Sequence, residues 1–126
     1  MRYLLDTTLL IDYANGDPRA NAVLEQLFSE PSDLITCDVV VCESRSAGTD
    51  EHLAVMELLI EPLVYVSTSP QAAAWAADSR LKRHREDGKL GLGDALIAGV
   101  AATMDATVVT RNRPDFERQA VSVLTY

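Results

Sequence analysis

The sequence predicts an α/β fold: a parallel or mostly parallel sheet of four or five strands, covered by helices on both faces. Two observations carry this expectation. Short apolar runs suited to strands alternate with segments of helical periodicity along the whole chain, in the order β-α-β-α-β-α-β-loop-β. The 126 residues are 48% hydrophobic and 24% charged, which suits one real core and excludes a disordered, collagen-like or disulfide-stapled chain. No repeat, linker or low-complexity tract divides the chain, so residues 1–126 are read as one domain.

The elements follow in order. Tyr3–Asp6 reads as the first strand and leads into LLIDYA, a short helix ended by Asn15-Gly16. Asp17-Pro18 starts a second helix, with Ala22, Val23, Leu27 and Phe28 at helical spacing. Leu34–Cys37 is strand two. Asp38 is a helix cap for a segment reaching Gly48, although Val39-Val40-Val41 suits an extended strand equally well. Asp50–Leu59 is helical, with Leu53, Met56, Leu59 and Ile60 on one side, and Glu61-Pro62 breaks it before strand three, Leu63–Val66. Ser69-Pro70 pairs a cap with proline at the first helical position, and the helix runs through Trp75 and Leu81 to stop near Gly88. Gly91–Gly93 is a loop, Asp94–Met104 a small-residue helix, Thr107–Thr110 strand four, RNRPDF a loop and Ser122–Leu124 a short fifth strand.

Neither a membrane span nor a secretory leader is expected. The most apolar stretch, LGLGDALIAGVAATM, carries Asp94, and the first twelve residues hold two acids with no small-residue cleavage site. Cys37 and Cys42 form neither a framework nor a CxxC pair and read as reduced core thiols of a cytoplasmic protein.

The net charge of −8 argues, taken alone, against a polyanionic partner. Yet residues 1–79 hold three Arg against thirteen acids, whereas residues 80–126 hold eight Lys or Arg against six acids. Four acids fall at or just past strand ends, where open α/β sheets bind ligands: Asp6, Glu43, Asp94 and Asp115. Singly, Asp6 and Asp94 could be helix caps and Asp115 a turn residue, while Glu43 interrupts an apolar stretch where an unpaired charge is costly. Together they form a set of hard oxygen ligands suited to Mg²⁺ or Mn²⁺, ions that would also let an RNA phosphate approach. Other acids read as structural. Asp12 lies six residues beyond Asp6 and is expected to point the opposite way into solvent.

These segments resemble the PIN domain, in particular the small VapC-type toxin ribonucleases of bacterial toxin–antitoxin pairs. LLDTTLLIDY is similar to that family's opening strand with its first catalytic acid, Asp6. VVVCESRSAG is similar to the helix bearing the catalytic glutamate, Glu43, although Ser44-Arg45-Ser46 stands where family members often have apolar residues. GDALIAGVAATMDATVVTRNRPDF is the most specific piece, giving the third acid as Asp94, polar positioning residues as Thr110 and Asn112, and the fourth acid as Asp115. The resemblance implies a three-layer α/β/α fold, divalent-metal-dependent RNA cleavage, dimerisation, and inhibition by a cognate antitoxin protein.

Phosphodiester hydrolysis asks for such residues. Asp6 and Asp94 are assigned as direct metal ligands, Glu43 and Asp115 as completing the shell or holding its waters, and Thr7, Thr110 and Asn112 as orienting groups. Arg111 and Arg113, flanking Asn112, are candidate RNA contacts, as are Arg80, Lys82, Arg83, Arg85 and Lys89, which also suit a solvated helix end. His52 and His84 are read as surface residues. Leu9–Tyr13 and Leu90–Val100 are core or dimer contact. Two alternatives are a phosphotransfer domain and a non-catalytic binding module of the same fold. The phosphatase pattern needs a second Asp two residues after the first, where this chain has Thr8, and a receiver places a lysine where it has Arg111.

Overall fold

The computed structural model describes residues 1–86 and 90–126, without the side chains of Arg85 and Glu86. The chain runs β1 (Arg2–Leu5), α1 (Thr7–Ala14), α2 (Pro18–Ser29), β2 (Asp33–Cys37), α3 (Asp38–Arg45), α4 (Asp50–Ile60), β3 (Val64–Val66), α5 (Pro70–Glu86), α6 (Leu92–Met104), β4 (Thr107–Val109), α7 (Arg113–Glu117) and β5 (Val123–Leu124). The expected end of α5 near Gly88, and the side chains of Arg85 and Lys89, lie outside the described residues.

All four strand pairings are parallel, and the spatial order is β3-β2-β1-β4-β5. The chain therefore builds the sheet outward from β1 in one direction and then crosses to β4 and continues the other way. Right-handed crossovers then put α1–α4 on one face and α5–α7 on the other. Contacts agree: α1 packs on α2, α3 and α4, while α6 packs on α5 and α7. The order reverses between β1 and β4, and the crevice at the carboxyl ends of those two strands is where such a sheet receives ligands.

Local chemistry explains the element starts. The Asp17 carboxylate accepts from the Arg19 N–H at 2.8 Å with Pro18 behind it, and Ser69 Oγ accepts from the Ala72 N–H at 3.0 Å ahead of Pro70. The residues 38–45 are helical rather than extended, with Cys37 in the capping position and Asp38 in the first turn. Asp38 instead ties two elements together, accepting from the Val39 N–H and from both the N–H and hydroxyl of Thr68. Helices α5 and α6 approach closely because Gly99 has no Cβ, which would otherwise strike the Ala72 carbonyl.

The core comprises Leu4, Leu5, Leu9, Leu10, Leu27, Ile35, Val40, Met56, Ile97, Val100, Val108 and Phe116, all essentially without solvent contact. Each such side chain contributes on the order of 1.5–3 kcal/mol. Three expectations need correction. On α2 the inward face is Ala20, Val23, Leu24 and Leu27, so Ala22 and Phe28 look outward. Cys42 is exposed, and only Cys37 is a core thiol, its pKa pushed up to about 11 by burial. The RNRPDF segment is not a loop: Arg113–Glu117 forms α7, because Pro114 is tolerated in a first turn and Phe116 buries completely.

Candidate active site

Asp6 closes β1, and its N–H donates to the Val109 carbonyl at 3.0 Å, the last rung between β1 and β4. It occupies the capping position of α1, yet its carboxylate makes no capping hydrogen bond. Asp6 Oδ2 instead accepts from Thr110 Oγ1 at 2.7 Å and Thr8 Oγ1 at 3.0 Å. The residue is 2% exposed. Burial raises its pKa, the two hydroxyls and the Thr7 N–H work against that rise, and the charge on Glu43 adds to it.

Thr110 is fully buried just past β4, and its Oγ1 also accepts from the Asn112 N–H at 2.9 Å. Asn112 Nδ2 then donates to Asp115 Oδ2 at 2.7 Å. Opposite them, Thr7 Oγ1 donates to Glu43 Oε1 at 2.8 Å, joining the first turn of α1 to α3. Each of the three expected orienting groups, Thr7, Thr110 and Asn112, thus holds one of the four acids.

Asp94 stands in the first turn of α6, which Gly91 rather than Asp94 caps. A helix N-terminus favours a carboxylate. Nevertheless the Asp94 pKa is pushed up to about 7, first by burial, then by the charges of Asp6 and Asp115, a hydrogen bond with Asp115 and the charge of Glu43. Asp94 therefore feels the other three acids at the carboxyl ends of β1 and β4, and Asp6 feels Glu43 as well. Among the described residues no ion pair is formed to Asp6, Glu43 or Asp94, while Arg118 Nη1 stands 3.7 Å from Asp115 Oδ1.

The donor set is entirely oxygen, the chemistry of a hard divalent cation. Among the described residues no three His, Cys, Asp or Glu side chains close into a ready metal cage. That is compatible with Mg²⁺, which dehydrates reluctantly, keeps several waters and takes only one or two carboxylates directly. A mutually repelling set with an acid lifted to about 7 fits such an ion.

Two residues of the site had escaped the sequence reading. Thr8 donates to Asp6, and the Thr-Thr pair following a strand-end acid was its one available signal. Gly93 gives Glu43 its place: a Cβ there would lie 2.6 Å from Glu43 Oε2. Nothing in sequence marks that approach, because it is made between α3 and α6.

The expectation for Asp12 is overturned. It is 8% exposed, and its carboxylate accepts from Arg111 Nε at 2.8 Å, Arg111 Nη2 at 3.3 Å and the Tyr126 hydroxyl at 2.6 Å. Hydrogen bonds from distant parts of the chain, not helical periodicity, decide its orientation. Arg111 is thereby engaged within the protein, and Arg113 pairs with Glu117 on the surface of α7. Arg80 donates to the Leu90 carbonyl at 3.1 Å.

Comparison with known proteins matches residues 3–121 to the PIN domain. Ribonuclease VapC19 of Mycobacterium tuberculosis is 27% identical over 111 residues, covering 86% of this chain and 87% of its own. The tRNA(fMet)-specific endonuclease VapC of Salmonella typhimurium is 27% identical over 123 residues, covering 94% and 92%. The structure superposes on FitAcB from Neisseria gonorrhoeae with a TM-score of 0.79 at 25% identity, over 97% of this chain and 96% of that one. It shares its fold with a chain of the VapBC2 complex from Rickettsia felis, which is bound to a DNA fragment from its promoter (TM-score 0.84, 20% identity, 100% and 99% coverage). No helix among the described residues is long and apolar enough to cross a membrane. With a family match that leaves only the first two and last five residues outside it, the chain belongs to the PIN domain family.

Proposed function

We propose that this protein is a divalent-metal-dependent endoribonuclease and the toxic component of a toxin–antitoxin pair. The observation that carries the reading is the gathering of Asp6, Glu43 and Asp115 around Asp94, whose pKa is lifted to about 7 first by burial and then by those three acids. The matched relatives named as ribonuclease and tRNA endonuclease support the reaction class.

Asp6 and Asp94 are the direct ligands of Mg²⁺ or Mn²⁺ in this reading, and Glu43 and Asp115 complete the shell or hold its waters. An ion held by these residues would supply a water of lowered pKa and charge to balance the phosphoryl oxygens. The residues around it do the positioning. Thr8 and Thr110 fix the Asp6 carboxylate, Thr7 fixes Glu43, and Asn112 fixes Asp115, so the carboxylates need little reorganisation when substrate arrives. Both flanking arginines are paired, but Arg113 is the better placed for an RNA phosphate, since its partner Glu117 is exposed whereas Arg111 is held by the buried Asp12.

A cognate antitoxin and a second copy of this chain are the proposed partners. The likeness to chains solved in toxin–antitoxin complexes supports the first, and an acidic centre is a natural socket for an antitoxin arginine. Cleavage of RNA by the purified protein tests the proposal. Activity with Mg²⁺ or Mn²⁺ and none in EDTA is expected, and full activity in EDTA would overturn it. Expression of the chain should slow bacterial growth, and co-expression of the adjacent small gene should relieve it; equal toxicity of Asp94→Asn would separate the toxicity from nuclease chemistry.

A further inference from the structure

Gln119 lies just past α7, where the left-handed backbone of Ala120 (φ 59°) turns the chain toward β5. It is 3% exposed. Its side-chain amide makes three contacts with three different elements. Nε2 donates to the carbonyl of Asp115 at 2.9 Å and reaches the carbonyl of Asp94 at 3.5 Å, while Oε1 accepts from Ser79 Oγ on α5 at 3.0 Å.

Part of this has a local cause. Helix α7 has five residues, and the carbonyls of so short a helix need donors from elsewhere. The Gln119 backbone N–H goes to Phe116, which leaves its side chain to serve Asp115. The reach to Asp94 has no such local reason, because Asp94 belongs to a thirteen-residue helix whose carbonyls find partners within it. One buried amide thus spans the backbones of two site acids whose charges repel each other.

We infer that Gln119 is a positioning residue for the acidic centre: its amide, held by Ser79, clamps the backbone at Asp94 to the backbone at Asp115 and so sets the spacing of their carboxylates. This rests on the metal-nuclease reading above. A spacing set this way governs how tightly a divalent cation is held and how well the reacting phosphate is aligned, and leaves the binding of RNA flanking the scissile bond untouched.

The test uses the full chain and two variants. Gln119→Leu keeps the reach of the side chain and removes its hydrogen bonds, and Ser79→Ala removes only the contact that holds the amide. Mn²⁺ binding is measured by calorimetry, with kcat and KM for RNA cleavage and the metal-free Tm alongside. Gln119→Leu is expected to weaken Mn²⁺ about tenfold and lower kcat at saturating Mn²⁺ about tenfold, with KM changed less than about twofold; outer-shell partners act on this scale. Ser79→Ala should move the same quantities in the same direction by less. A lower Tm in Gln119→Leu with unchanged Mn²⁺ affinity and kcat would reduce Gln119 to a prop of the fold and overturn the inference. If that variant does not fold, Ser79→Ala decides, and unchanged Mn²⁺ affinity there overturns it equally. A wild-type protein that neither binds Mn²⁺ nor cuts RNA would bring down the nuclease reading and this inference together, whereas wild-type activity with unaltered variants would remove the inference alone.

Discussion

Asp12 on α1 is buried and Asp94 on α6 half-buried, and the chain surrounds the two carboxylates in different ways. Asp12 receives a two-nitrogen grip from Arg111 and a hydroxyl from Tyr126, bringing together residues 99 and 114 positions apart in sequence. Asp94 faces Asp6, Asp115 and Glu43 with no ion pair among the described residues, and its pKa climbs to about 7. A buried charge matched by the chain's own cation holds structure together. A half-buried charge surrounded by like charges is eased only when protons or an outside cation answer it. The difference separates an acid that serves the fold from the acids proposed to hold a metal.

The largest effect should come from the chemistry side. Asp6→Asn keeps the shape of the side chain and its contacts with Thr8 and Thr110 while removing charge from the centre. RNA cleavage is expected to fall at least about a hundredfold, equivalent to roughly 2.7 kcal/mol. Initial-rate assays at saturating Mg²⁺ check this, and wild-type rates would dissolve the contrast with Asp12. On the structural side, Asp12→Ala leaves Arg111 and the Tyr126 hydroxyl without their partner. Losing one member of a buried pair costs about 3–5 kcal/mol, and because Arg111 is half exposed (52%) the expectation here is about 1–3 kcal/mol of unfolding free energy. Urea denaturation reads that loss, and an unchanged midpoint would show the Asp12 network to be idle.

The sheet and the convergence of the four acids were legible in sequence because both depend on order along the chain. Apolar runs alternating with helical segments dictate a parallel sheet, and an acid that ends such a run lands at its carboxyl edge. Thr110 and Asn112 came from the resemblance of TRN, residues 110–112, to the PIN family's pattern. What stayed hidden depends on residues far apart. The burial of Asp12 is invisible to helical spacing from Asp6, because Arg111 and Tyr126 fold over it from the far end of the chain. Helix α7 looks like a loop in sequence because its stability comes from burying Phe116 in the core, not from propensity. Gly93 looked like an ordinary loop glycine until Glu43 was found to lie where a side chain at 93 would begin.

A smaller effect is expected at Gly93, where α6 meets Glu43 of α3. In Gly93→Ala the new methyl would meet Glu43 Oε2, the far end of a flexible side chain, so Glu43 should swing away and lose its bond to Thr7. One hydrogen bond of about 0.5–1.5 kcal/mol corresponds to a roughly two- to thirteenfold fall in cleavage rate with little change in stability. Equal rates for the variant and the wild type would mean that the place of Glu43 is not critical.

Linkage between metal, pH and stability tests the account where it is most exposed. The Asp94 pKa is raised from an ordinary value near 3.8 to about 7 in the folded protein. Between those values the folded state binds more protons than the unfolded state, so metal-free stability should fall as pH rises from about 4 to about 7. At pH 8 in EDTA, Asp94→Asn should therefore be more stable than wild type by about 1–2 kcal/mol, after allowing for partial solvent screening and the lost carboxylate at the helix start. Mg²⁺ should raise the wild-type Tm by mass action, raise that of Asp94→Asn much less, and raise that of Asp12→Ala as much as wild type. The decisive measurement is this set of melting curves at pH 8 with Mg²⁺ and with EDTA. A Mg²⁺ response that depends on Asp94 and not on Asp12 is the predicted result, and equal responses in all three proteins would contradict the claim that the acids at the β1–β4 edge are kept for a cation from outside.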